Sequence, residues 1–173
     1  MYLKPDQEGV EMAKENRIQL ADIFMDMLNY KNNNKLVIDC MHNYLEINDT
    51  GFFHHKGTVS TLENEFALIA GSRGSYSYIV RCMPKEETLF SISHGAGRKR
   101  VRSLCKGKLE HKYKRNELKR LKLGSVVITN DKALLHEEAA EAYKNIEEVI
   151  DILQSYGAIE IVARMKPEVA YKC

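Results

Sequence analysis

The sequence predicts an α+β domain in which a mixed sheet is flanked by helices. Three observations carry that expectation. Apolar residues recur at helical spacing near both ends, short apolar or alternating runs fill the middle, and no repeat or low-complexity linker interrupts the 173 residues. A single domain over 1–173 suits a chain this short. Its apolar share of 44% is enough to build a core.

The elements follow in order. Asp6 is placed to cap a helix that begins after Pro5, and Val10, Ala13, Leu20, Ala21, Phe24, Met27 and Leu28 mark the apolar face of a helix over 7–29. Asn32, Asn33 and Asn34 end it. Strands are expected in "KLVIDCM" (35–41), "FALIAG" (66–71), "SYIVRCM" (77–83) and "TLFSIS" (88–93), separated by Gly, Asn, Pro or charge. "FFHHKGT" (52–58) reads as a polar turn. A basic helix is expected to start near Ala96 and run to about residue 122, where Gly124 breaks it. "SVVIT" is a short strand. Residues 137–157 read as a turn and then a helix, with Ile146, Val149, Ile150 and Leu153 on one face and Gly157 as its stop. "AIEIVARMKP" (158–167) is the last strand, and the tail behind it is largely apolar, with Glu168 and Lys172 its charged residues.

Charge is unevenly spread. From Arg98 to Lys122 twelve Lys or Arg face only Glu110 and Glu117, a local balance of +10, while the rest of the chain sums to −8. Such a block is an electrostatic footprint for phosphate, although a solvated helix face has the same composition. No apolar run is long enough to cross a membrane, and the charged N-terminus lacks an apolar signal core. Cys40, Cys82, Cys105 and Cys173 stand too far apart for a zinc knuckle or a disulfide framework, which fits a reducing cytoplasm.

The stretch "SISHGAGRKRVRS" (91–103) concentrates the chemistry. Gly95 and Gly97 bare the backbone beside His94, and cations follow at once. With a helix N-terminus after it, His94 would stand beside a natural phosphate site, as general base or as nucleophile at phosphorus. A capping histidine explains the same residue without chemistry. His42, in "IDCMHNYLEI", is a candidate metal ligand, yet one imidazole is no site and an ordinary half-buried histidine fits equally. "AGSRGSYSY" (70–78) can form an anion-binding nest of N–H groups or a plain turn.

Taken together, "HN" at 42–43, "HHKG" at 54–57, "GSRGSYSYIV" at 71–80, "SHGAGR" at 93–98, "EAYKNI" at 141–146 and "IVARMKP" at 161–167 resemble the RtcB-type RNA ligases, in family order. The likeness covers nearly the whole chain and only the C-terminal half of the family's usual length. It implies a GTP- and manganese-dependent ligase joining RNA 3′-phosphate (or 2′,3′-cyclic phosphate) ends to 5′-hydroxyl ends. By this resemblance His94 receives guanylate, His42 is a manganese ligand, and Asn43 helps to hold the nucleotide. Ala70, Gly71, Ser72, Arg73 and Ser77 form the loop around the guanylate with Gly95, Ala96 and Gly97. Tyr143 and Lys172 lie near the guanine, and Lys56, Arg98 and Arg102 gather phosphate or RNA ends. Lys172 would then account for a docked apolar tail.

Several positions depart from the family pattern. The remaining metal ligands, an aspartate, a cysteine and two histidines, belong to an upstream half expected to be absent here. Ala140 stands for a usual proline, Arg73 for a frequent methionine, and Cys173 for a final glycine. Three readings follow: a catalytic portion that works with an N-terminal ligase half, a non-catalytic RNA-binding or regulatory remnant, and a decayed fragment without a stable fold.

Overall fold

The computed structural model describes residues 4–30, 35–49 and 51–172. Helix α1 spans Lys4–Met27, so it begins before Asp6, which lies within the helix rather than capping it. It stops at Asn29, in the left-handed region at φ 59°. Asn29 N–H bonds Asp26 C=O and Tyr30 N–H bonds Met25 C=O, the two bonds of a Schellman turn. The stop expected at Asn32, Asn33 and Asn34 lies outside the described residues. Leu20, Phe24, Met27 and Leu28, read as an apolar face, are exposed. What ties α1 to the rest is polar: the Arg17 guanidinium grips both Asp39 oxygens at 2.7 and 2.9 Å.

One mixed sheet was expected, and four small ones are observed. β1 (Asn43–Asn48) and β2 (Gly51–Lys56) form an antiparallel hairpin. β3 (Thr58–Ser60) pairs antiparallel with β6 (Ser91–Ser93). β4 (Phe66–Ile69), β5 (Ser77–Cys82) and β8 (Ile159–Met165) make an antiparallel three-stranded sheet, with a bulge at Ile79/Val80. Among the described strands, β7 (Val126–Thr129) and β9 (Val169–Lys172) are the parallel pair, and an isolated parallel bridge joins Ala70 to Gly95. The tail is therefore docked as a strand.

Two expectations fail for physical reasons. "KLVIDCM" is not a strand: no described strand pairs with it, and Leu36 and Val37 point into solvent. "FFHHKGT" is no turn, because its first five residues belong to β2. His55 alternates inward there and, 2% exposed, meets Glu46 at 2.9 Å and stacks on Tyr44. "TLFSIS" extends only over Ser91–Ser93, since Leu89 and Phe90 take left-handed φ values of 51° and 50° after a 3₁₀ turn.

Two apolar cores result. The first packs Ile69, Tyr78, Val80 and Ile92 of the sheets under Ile146 and Ile150 of α5 (Ile146–Ser155). Each of those isoleucines contributes about 1.5–3 kcal/mol by leaving water. Asn145 caps α5 by accepting from Glu147 N–H, and Val149 and Leu153 extend the same face. The second core joins Cys105 and Leu109 of α2 (Arg102–Glu110), Leu118 of α3 (Arg115–Lys119), Leu135 of α4 (Lys132–Glu137), and Val127. Tyr143 packs against both. Cys40, Cys82 and Cys105 are free thiols.

Candidate active site

Three chain segments converge on His94 through backbone hydrogen bonds. His42 C=O accepts from Gly57 N–H at 2.6 Å, Gly57 C=O accepts from His94 N–H at 3.2 Å, and His94 C=O accepts from Ala70 N–H at 3.0 Å. Ala70 C=O in turn accepts from Ala96 N–H at 3.0 Å. This lattice lays the His94 ring flat on His42, with centroids 4.4 Å apart and planes 1° from parallel. Asn43 supports it from the side, its Oδ1 accepting a second bond from Gly57 N–H at 3.0 Å. Burial, and next the neighbouring His42 ring, pull the His94 pKa below its ordinary 6.5, which favours the neutral imidazole.

Glycine is needed at two of these crossings. A β-carbon on Gly95 would lie 2.7 Å from Ala70 C=O, too close for any side chain. Gly57 has φ +70°, and a β-carbon there would touch Nε2 of His94 at 3.4 Å. Sequence reasoning grouped Gly57 with a polar turn and missed that it underlies the histidine.

His94 does not sit at a helix start. Residues 94–101 are irregular and α2 begins only at Arg102, so no helix dipole acts on the imidazole. The chain there is held by cross-bonds instead: Lys99 N–H and Arg100 N–H to Ala142 C=O, and Lys144 N–H to Gly97 C=O. Gly97 permits the crossing by taking φ +68°.

The serine loop is not an open nest. Gly71 N–H donates to Ser77 Oγ at 3.0 Å, Ser72 N–H to Ser75 Oγ at 2.7 Å, and Gly74 N–H to Ser72 Oγ at 3.3 Å. The loop's own hydroxyls take the donors an anion would need, and the turn becomes stiff. One side of it faces a cavity of about 250 Å³ lined by Gly71, Ser72, Arg73, Glu138, Tyr143, Tyr171 and Lys172. Five of those residues were expected around a nucleotide from resemblance alone. That volume is below the usual 300–1,000 Å³ of a small-molecule pocket, so it can hold one ring system but not a whole nucleotide.

Glu138 is a residue of this cavity that sequence reasoning missed. It is 6% exposed and central to the cavity wall. Its carboxylate meets Arg98 at 3.3 Å, Arg102 at 3.4 Å and Lys172 at 3.5 Å, and accepts from the Tyr143 hydroxyl. Burial works against its charge, but the Tyr143 bond and the three cations outweigh that and hold its pKa below 4.5. Arg98 also donates to Glu137 C=O at 2.6 Å and lies over the Tyr143 ring at 4.9 Å. Arg73 donates to Leu135 C=O, while its Nε is buried without a partner. Lys56 is exposed at the end of β2, next to Gly57. Of the twelve cations between Arg98 and Lys122, the side chains of Lys106, Lys108 and Arg115 lie outside the described residues.

This arrangement defines a histidine whose main chain is bonded to Ala70, the residue before a serine loop that lines a small cavity with Glu138 and Lys172. The family profile described as tRNA-splicing ligase RtcB matches residues 1–173, and the chain belongs to that family. It is 39% identical to the RNA-splicing ligase RtcB2 of Escherichia coli over 99% of its own length and 45% of that protein. With the tRNA-splicing ligase RtcB of Archaeoglobus fulgidus it shares 41% identity over 58% of this chain and 21% of the relative. The chain spans less than half the length of these curated relatives.

Manganese does not fit the residues present. Among the described residues no group of three or more His, Cys, Asp or Glu side chains could hold a metal ion. His42 would be one ligand, and catalytic metals usually take about three protein ligands. No described helix is long and apolar enough to cross a membrane.

Proposed function

We propose that this chain carries the guanylate-handling part of an RNA ligase that joins 3′-phosphate (or 2′,3′-cyclic phosphate) ends to 5′-hydroxyl ends. The supporting observation is the convergence of Gly71, Ser72, Arg73, Tyr143 and Lys172 on one cavity, one residue along the chain from the backbone bond that fixes His94. In this reading the guanine ring enters the cavity beside Tyr143 and Lys172. The neutral His94 attacks the α-phosphorus of GTP, forming a P–N bond as pyrophosphate leaves. An oxygen of the RNA 3′-phosphate then displaces the imidazole, which departs with its electron pair. Attack by the 5′-hydroxyl on that RNA phosphorus expels GMP and gives up a proton to solvent. Lys56, Arg98 and Arg102 contribute positive potential for the RNA ends, with Arg98 committed largely to shaping the wall.

The missing donors favour a second reading, an RNA-binding or regulatory member without ligation, since His42 cannot assemble a metal site with the described residues. One experiment separates the two. The chain, alone and mixed with a protein supplying the rest of the family's length, is incubated with manganese and GTP labelled at the α-phosphate, and the adduct is mapped. Label on His94 that disappears in His94→Ala supports the ligase reading. An adduct elsewhere, or none under either condition, leaves the binding reading.

A further inference from the structure

A second cavity, of about 570 Å³, opens between the turn joining α2 to α3, the loop after α3 and the 3₁₀ turn Ala140–Ala142. Its floor is apolar, made by the buried Leu118 with Leu121, Ala139 and Ala140. Tyr113 forms a wall, and Lys112, Arg120 and Lys122 stand at the rim.

The acids at this rim are already engaged. Glu141 accepts from Lys112 and from the Tyr113 hydroxyl, each at 2.7 Å, and Glu117 accepts from Lys114 N–H at 2.8 Å. Arg120 and Lys122 form no ion pair among the described residues and are exposed. The uncommitted charge is therefore positive. A face kept only for solubility would carry such cations without an apolar hollow behind them. An apolar slot with an aromatic wall and free cations matches an unpaired base with its flanking phosphates.

Position strengthens the argument. Gly74 belongs to the serine loop and faces this cavity: a β-carbon there would lie 3.0 Å from Ala140 Cβ and 3.4 Å from Leu121 Cδ1. Gly71 to Arg73 and Glu138 line the smaller cavity, so the two hollows share one wall, the serine loop with the turn after α4.

We propose that the larger cavity takes one unpaired nucleotide of single-stranded RNA, its base on Tyr113 and Leu121 and its phosphates on Arg120 and Lys122. This rests on the RNA reading above. The Tyr113 hydroxyl and Glu141 satisfy each other, so the slot holds any base by stacking and does not read its identity.

The test is anisotropy of a labelled ten-nucleotide single-stranded RNA binding to the full chain at low salt, with an abasic position moved along the strand. Binding should weaken about tenfold at one abasic position and be indifferent to which base stands there. Ala140→Trp, which fills the slot from an exposed position, should erase that discrimination. Arg120→Glu with Lys122→Glu should weaken intact and abasic strands alike and reduce the log–log salt slope by about 1.4. The abasic scan of the unaltered chain decides the matter even where Ala140→Trp fails to fold. A flat scan with RNA still bound would overturn the base slot and leave the RNA reading standing. No RNA binding at all would overturn both. Ala140→Trp that alters sedimentation but not RNA binding would make the cavity a protein contact and overturn the slot.

Discussion

The surroundings of His94 and those of Glu138 are built in opposite ways. Around His94 the bonds run between main chains, from His42 through Gly57 and His94 to Ala70 and Ala96. Around Glu138 they run between side chains, as Arg98, Arg102, Lys172 and Tyr143 meet one carboxylate. A main-chain lattice tolerates most side-chain changes but none that adds an atom where strands touch. A charge cluster tolerates volume changes at its edge and fails when its central charge is removed. The difference shows that neighbouring parts of one site can be sensitive to different substitutions.

The largest expected effect tests the lattice side. A β-carbon on Gly71 would fall 1.9 Å from Tyr76 C=O, a main-chain atom that cannot yield. Gly71→Ala should cost at least about 3 kcal/mol in urea unfolding, at the upper end for overpacking. A cost under about 1 kcal/mol would mean that the serine loop is pliable and the contrast false.

Next comes the cluster. Glu138→Gln keeps the volume but removes the charge shared by Arg98, Arg102 and Lys172, leaving the 22% exposed Arg98 only its neutral partners, Glu137 C=O and the Tyr143 hydroxyl among them. Removing one partner of a largely buried pair should cost about 3 kcal/mol. The pH dependence sharpens this. Because Glu138 titrates below 4.5 in the folded chain, its stabilisation is complete above 4.5 and is lost as pH falls through the lowered value. Urea midpoints measured downward from pH 5 should fall in the unaltered chain and fall less steeply in Glu138→Gln. Equal slopes would show that the carboxylate gains nothing from its cations.

Smaller effects should mark the periphery of both regions. Asn145→Ala removes the bond to Glu147 N–H and should cost about 1 kcal/mol in thermal unfolding. Arg81→Ala breaks an exposed pair, 47% and 61% open, and a loose contact over the Phe66 ring at 5.5 Å, and should change stability by less than about 1 kcal/mol. A larger change at Arg81 would mean that the β5–β8 edge is held by charge and not by packing.

How much of this was legible follows from the same contrast. The face of α5 and its Gly157 stop could be read because they are local, while its Asn145 cap was seen only in the structure. The helix expected at Ala96 was a misreading, because nothing in "GAGRKR" shows that Ala142 C=O would take the Lys99 and Arg100 N–H groups, or that Gly97 C=O would accept from Lys144 N–H. The tail read as docked from its apolar composition, yet its parallel partner β7 lies some forty residues away and is chosen by packing. The resemblance pointed to Tyr143 and Lys172, while Glu138 between them carried no signal of its own.

The residue types and their order therefore determined the family, the face and stop of α5, the basic block and the glycines that clear space around a histidine. These depend on interactions between residues close in sequence, or on chemistry that a motif preserves. Tertiary structure decided which main-chain groups paired across the site, that the serine hydroxyls would satisfy the loop's N–H groups, and that one buried carboxylate would collect three distant cations. Those outcomes depend on which polar groups lose water together, and only the folded chain brings Arg98 and Lys172 within 3.5 Å of the Glu138 carboxylate.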